Sequence, residues 1–136
     1  MENANMESVT KTGTILVVDD DPDFRLEMKY YLERDGFTVV EAASQREASE
    51  RIRDLKPDLA VINLVMEQLD SGFVLSYHIK KAYPTVPVIL VTASAGDTHL
   101  DFDTATESER SWIKADVLLQ KPLRYEQIKR EIMRLL

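Results

Sequence analysis

The chain has 136 residues, 44% hydrophobic and 30% charged, with a net charge of −7 and no cysteine. This is the balance of one ordinary globular domain with a real core. It excludes disulfides and thiol chemistry, and it argues against non-specific nucleic-acid binding. No apolar run approaches the roughly 20 residues of a membrane span. Residues 1–13 are polar, with neither a basic start nor an apolar signal core, and are expected to be a flexible tail before a folded unit over 14–136. A cytoplasmic location is expected.

Strand-like runs alternate with helical spacing along the rest of the chain. A strand is predicted over 14–19. A helix follows over 23–35, with Phe24, Met28, Tyr31 and Leu32 on one face and Gly36 ending it. Asp21 and Asp23 read as acids favoured at that helix's N-terminus. A strand over 38–42 precedes Ser44-x-x-Glu47, a capping-box pattern opening a helix to Leu55. Pro57 stops that helix, and a strand runs over 59–63. Leu75, His78, Ile79 and Ala82 lie at helical spacing within 71–82. Pro84 and Pro87 bracket the turn into a strand over 86–92. A polar stretch over 93–105 leads to a second possible box, Thr106-x-x-Glu109, and a short helix with Trp112 and Ile113. The last strand is 117–119. The last helix, 124–136, carries Tyr125, Ile128, Ile132 and Leu135 on one stripe. Five strands and five helices in strict alternation imply βα units and a parallel sheet, buried on both faces.

In such a sheet, ligands bind beyond the carboxyl ends of the strands. Those ends carry Asp19 and Asp20, then Asn63, then Thr92, then Lys121. Adjacent carboxylates favour a hard cation such as Mg²⁺, lysine neutralises phosphoryl oxygens, and a hydroxyl can donate to one. Several other residues read as structural. Trp112 and Tyr125 are packing residues, Lys80-Lys81 is a solvated helix face, and His78 and His99 lack companions at ligand spacing.

Four motifs stand in register: Ile15-Leu16-Val17-Val18-Asp19-Asp20-Asp21-Pro22, Pro57-Asp58-Leu59-Ala60-Val61-Ile62-Asn63, Val88-Ile89-Leu90-Val91-Thr92-Ala93 and Lys121-Pro122. In these the chain resembles the receiver domain of two-component response regulators, over about 14–136. The resemblance implies an α/β, (βα)5 flavodoxin-like three-layer sandwich with strand order 2-1-3-4-5. It implies that Asp20 binds Mg²⁺ directly and Asp19 through water, and that Val65 offers its backbone carbonyl. Thr92, followed by Ala93, matches the switch hydroxyl at the phosphate, Lys121 matches the phosphate-pairing lysine, and the Lys-Pro bond is usually cis. A histidine kinase or downstream effector would be met through the fourth helix, fifth strand and fifth helix. No enzyme activity, nucleic acid or membrane is implied for the chain itself, and its end at the fifth helix reads as either a single domain or a piece of a longer regulator.

Asn63 falls on the phospho-acceptor aspartate. An amide oxygen is neutral and the amide lone pair is delocalised, so no acyl phosphate forms there by the family route. The metal site loses a carboxylate, a charge worth several kcal/mol at an effective dielectric of about 20, so Mg²⁺ binding is expected to be weak or absent. As a structural residue, Asn63 relieves repulsion among the acids and can bond Lys121. Leu118 stands where many receivers carry an aromatic switch residue, Glu67 where a proline is common, and the segment from Thr92 to Lys121 is longer than usual. The expected protein is a pseudo-receiver working by protein contacts. An engineered Asp-to-Asn substitution in an ordinary regulator stays open. A haloacid-dehalogenase-like phosphatase, with Asp19 as nucleophile in Asp19-x-Asp21, fits poorly, because Asp23 stands where Thr or Val is usual and no late acidic motif follows Lys121.

Overall fold

The computed structural model describes residues 12–66, 68, 70–93 and 115–136. Most of the expected tail, Glu67, His99 and the helix expected around Trp112 and Ile113 lie outside them.

The strands are β1 (Thr14–Val18), β2 (Thr38–Ala42), β3 (Leu59–Asn63), β4 (Val88–Thr92) and β5 (Val117–Gln120). They form one sheet in the order β2-β1-β3-β4-β5, and every pairing is parallel. The described helices are α1 (Pro22–Arg34), α2 (Gln45–Asp54), α3 (Ser71–Ala82) and α4 (Tyr125–Leu135). Element bounds fall within two residues of those expected from sequence. The fourth strand starts at Val88 rather than Val86, because Val86 N–H turns back to the Tyr83 carbonyl and Pro87 has no N–H to give the ladder.

The sheet is buried on both sides because its strands alternate apolar residues between two layers. Leu16, Ala60, Ile62 and Leu90 face one layer, with Ile52 of α2 and Leu75 and Ile79 of α3. Ile15, Val17, Val61 and Ile89 face the other, with Met28 and Leu32 of α1 and Ile128 and Ile132 of α4. Each such side chain larger than alanine contributes roughly 1.5–3 kcal/mol of transfer free energy.

Local signals explain the helix ends. Gly36 adopts φ +99°, and its N–H reaches the Glu33 carbonyl while Phe37 N–H reaches that of Leu32, which closes α1 in a Schellman motif. Ser44 Oγ accepts from Glu47 N–H at 3.0 Å. The return arm of that box goes to the N–H of Ala43 rather than Ser44. Among the described residues, no helix is long and apolar enough to cross a membrane.

The order β2-β1-β3 places the chain's reversal between β1 and β3. A crevice opens there, beyond the strands' carboxyl ends.

Candidate functional site

At the end of β1, Asp19 N–H still bonds the Ala42 carbonyl at 3.1 Å, so Asp19 stays in line with the sheet. Its carboxylate is buried, with side-chain exposure of 1%. Oδ1 accepts the Asp21 N–H at 2.9 Å, and Oδ2 lies 3.0 Å from Lys121 Nζ. Burial is the strongest influence on this carboxyl and pushes its pKa up. The Asp21 N–H and the Lys121 ammonium pull it back without prevailing, and neighbouring Asp20 adds to the rise.

Asp21 caps α1, accepting the Asp23 N–H at 2.9 Å, and Pro22 supplies the first turn with its fixed φ. Both acids thus serve the start of the helix, Asp21 as its cap and Asp23 within its first turn. From the same turn, Arg25 reaches back to the Asp19 carbonyl at 2.6 Å and to Glu41 at 3.2 Å, fixing the loop after β1.

Lys121 follows β5, with its N–H on the Thr92 carbonyl at 2.7 Å and a cis bond to Pro122. Its ammonium also stands 4.4 Å from the centre of the Phe24 ring. Periodicity places Phe24 on the inner face of α1 but gives no hint that it supports the lysine.

At the end of β3, the Asn63 Nδ2 group donates to the Val65 carbonyl at 2.7 Å and, at the long limit of a hydrogen bond, to Asp20 Oδ1 at 3.4 Å. These are its bonds in the pocket, and Lys121, a partner within its chemical means, is held by Asp19 instead. The loop after Asn63 is pinned on both sides: Leu64 N–H bonds Val91 and Gly72 N–H bonds the Leu64 carbonyl at 2.8 Å. Gly72 is needed for this approach, since a Cβ there would lie 2.6 Å from Leu64 Cα and 2.7 Å from the Asn63 carbonyl. The sequence offers only a Ser-Gly pair at a helix start as a signal for it.

Asp19, Asp20, Asn63, Val65, Thr92, Ala93 and Lys121, joined by Asp21, line one open hollow of about 570 Å³. Thr92, one of these lining residues, is buried. Leu118 instead packs partly buried against the layer formed with α2 and α3. Lys80 is not the solvated residue expected from the sequence: it pairs with Asp116 at 2.8 Å. Among the described residues no group of three or more His, Cys, Asp or Glu side chains could hold a metal ion. The cluster nonetheless combines an acid pair, a buried hydroxyl and a lysine at one rim of a parallel sheet.

The class is that of receiver domains. A family model described as the response regulator receiver domain matches residues 15–133, and the chain belongs to that family. Among its relatives, response regulator GtcR of Aneurinibacillus migulanus is 36% identical over 85 residues, covering 62% of this chain and 34% of GtcR. Response regulator protein VraR of Staphylococcus aureus is 36% identical over 91 residues, covering 65% of this chain and 43% of VraR. The chain therefore matches less than half the length of these relatives. Response regulator protein TrrA of Thermotoga maritima, solved with Mg²⁺ and BeF, superimposes with a TM-score of 0.74 at 26% identity, covering 90% of this chain and 98% of TrrA. The flavodoxin-like (βα)5 fold and a place in two-component signalling follow from this membership.

Proposed function

We propose that residues 14–136 form a cytoplasmic receiver module of phosphorelay signalling that does not accept a phosphoryl group at position 63. It works as a pseudo-receiver, through contacts with other signalling proteins. One observation carries this reading: Asn63 lines the same hollow as Asp19, Asp20, Thr92 and Lys121. A carboxylate attacks phosphorus with an anionic oxygen. The carboxamide has none, and its nitrogen end is turned toward Val65 and Asp20.

The metal side of the pocket is weakened as well. A hard cation needs several convergent oxygens. Here the Val65 carbonyl and one oxygen of Asp20 face an N–H donor, and both Asp19 oxygens already accept hydrogen bonds. This arrangement does not fit Mg²⁺ as it stands. For contacts with a kinase or effector, the face of β5 and α4 is the favoured surface. Its support is the resemblance to receivers and the position of β5 at the sheet edge.

Incubating the chain with acetyl phosphate and Mg²⁺, then weighing the intact protein, tests the reading. No phosphoryl adduct is expected on the chain as it stands, and Asn63→Asp is expected to gain one. A stable adduct on the unaltered chain overturns it.

A further inference from the structure

We infer that the Asn63 carboxamide occupies the place of a divalent cation and excludes one by competition, not merely by offering a poorer ligand. Four of the oxygens a hard cation would gather at this rim already face a nitrogen donor. The Val65 carbonyl accepts from Asn63 Nδ2 at 2.7 Å, and Asp20 Oδ1 accepts from the same nitrogen at 3.4 Å. Asp19 Oδ1 takes the Asp21 N–H at 2.9 Å, and Oδ2 takes Lys121 Nζ at 3.0 Å.

The orientation of the amide follows from chemistry. Both of its neighbours are acceptors, so the flipped amide would set its own oxygen against a carbonyl and a carboxylate. The backbone holds this arrangement, because Leu64 on one side of the contact is tied to both β4 and the start of α3. A cation approaching the rim must first turn Asn63 away from Val65 and leave an amide N–H without that partner. An amide group thus links the Val65 carbonyl to Asp20 across the rim, while Lys121 is held between Asp19 and the Phe24 ring.

This inference rests on the reading of the pocket as non-accepting and adds a mechanism to it, and the two fail separately. The two mechanisms of weak metal binding differ in what Asn63→Ala does. If asparagine is only a poor ligand, alanine binds a cation as weakly or more weakly. If asparagine is a competitor, its removal frees Val65 and Asp20, and water fills the position.

Mn²⁺ is the probe, with free ion counted by electron paramagnetic resonance in titrations of the full chain and of Asn63→Ala, both checked for folding by circular dichroism. Asn63→Ala is expected to bind Mn²⁺ about five-fold more tightly, the scale of one lost intramolecular hydrogen bond. Equal or weaker binding overturns the inference. The unaltered chain supplies an independent test by ¹⁵N NMR. The Asn63 side-chain NH₂ protons are expected to exchange slowly with water and to keep their shifts as Mg²⁺ is added. Exchange as fast as in an exposed asparagine overturns the inference even if the alanine variant fails to fold. Acetyl phosphate labelling, by contrast, addresses only whether the pocket accepts phosphate.

Discussion

Lys121 holds Asp19 at 3.0 Å, and Lys129 holds Asp35 at 3.1 Å, yet the two carboxyls shift in opposite directions. Asp19 lies in the pocket with its side chain 1% exposed, and burial there outweighs its partners and raises its pKa. Asp35 ends α1 with its side chain 18% exposed. Burial alone would push the Asp35 carboxyl up as well. The Tyr125 hydroxyl at 2.7 Å, Lys129 and Arg34 together outweigh it and hold the carboxyl below its usual range. The Asp35 cluster is a latch: it joins α1 to α4, and the Tyr31 and Tyr125 rings stack beside it at 4.9 Å. The Asp19 pair is a charged group kept where the scaffold does not fully compensate it. A lysine at the same distance therefore means different things, and the number of other donors and the access to water decide which.

The sign of each contribution to stability follows. A carboxyl whose pKa falls on folding, as at Asp35, stabilises the fold above its unfolded value of about 3.9 and loses that contribution as pH drops through the folded value. A carboxyl whose pKa rises, as at Asp19, contributes below the unfolded value and loses that contribution as pH climbs through the folded one.

The largest effect is expected from Lys121→Met. It leaves a buried carboxylate without its cation, a loss of about 3 kcal/mol in urea unfolding at neutral pH. Protonating Asp19 removes the unpaired charge, so the loss should shrink as pH falls, at a higher pH than any change tied to Asp35. A loss that persists unchanged into acid would mean that Lys121 stabilises by packing on Phe24 alone.

Asp35→Asn should cost less, about 1.5 kcal/mol at neutral pH, since it weakens hydrogen bonds to a charged group that water can still reach. The gap from the unaltered chain should begin to close as pH falls below about 3.9, where the unfolded carboxyl takes up its proton, and should vanish once pH has dropped through the lower value of the folded one. Tyr125→Phe removes one donor from the same latch and should cost about 1 kcal/mol. With that donor gone the Asp35 titration, followed by ¹³C NMR of its carboxyl, should move up toward the ordinary aspartate range. An unmoved titration would assign the shift to Lys129 and Arg34 alone.

The sequence carries these two clusters unequally. Alternating apolar runs reveal where each strand ends, so Asp19, Asn63, Thr92 and Lys121 could be assigned to one rim before any coordinates. Which of them bond each other was not legible. Lys121 and Asp19 are 102 positions apart, and only side-chain rotation decides between Asp19 and Asn63 as the partner of the lysine. The latch was invisible for a similar reason. Tyr125 reads as a core residue by its helical spacing, and it is buried. Its hydroxyl reaches across 90 positions to an aspartate that, in sequence, only marks the end of a helix. Gly72 was missed because what makes it necessary is the backbone of Asn63 and Leu64 in another element.

The smallest effect, and the one that bears most directly on the comparison, is expected from Asp19→Asn. Replacing the acid removes a charge that burial disfavours, which offsets part of the loss. It also costs a contact, since one end of the new amide can serve either the Asp21 N–H or Lys121 but not both as acceptor. Lys121 keeps the Phe24 ring and, with its side chain 24% exposed, can turn its ammonium toward water. The opposing terms should leave stability within about 1 kcal/mol of the unaltered chain at neutral pH, because the ammonium left behind reaches water, whereas breaking a pair is costly when the charge left behind stays buried. Side-by-side urea unfolding of Asp19→Asn and Asp35→Asn then ranks the two acids. If the pocket variant loses more than the latch variant, the Lys121 pairing outweighs burial at Asp19, and the contrast drawn between the two clusters is wrong.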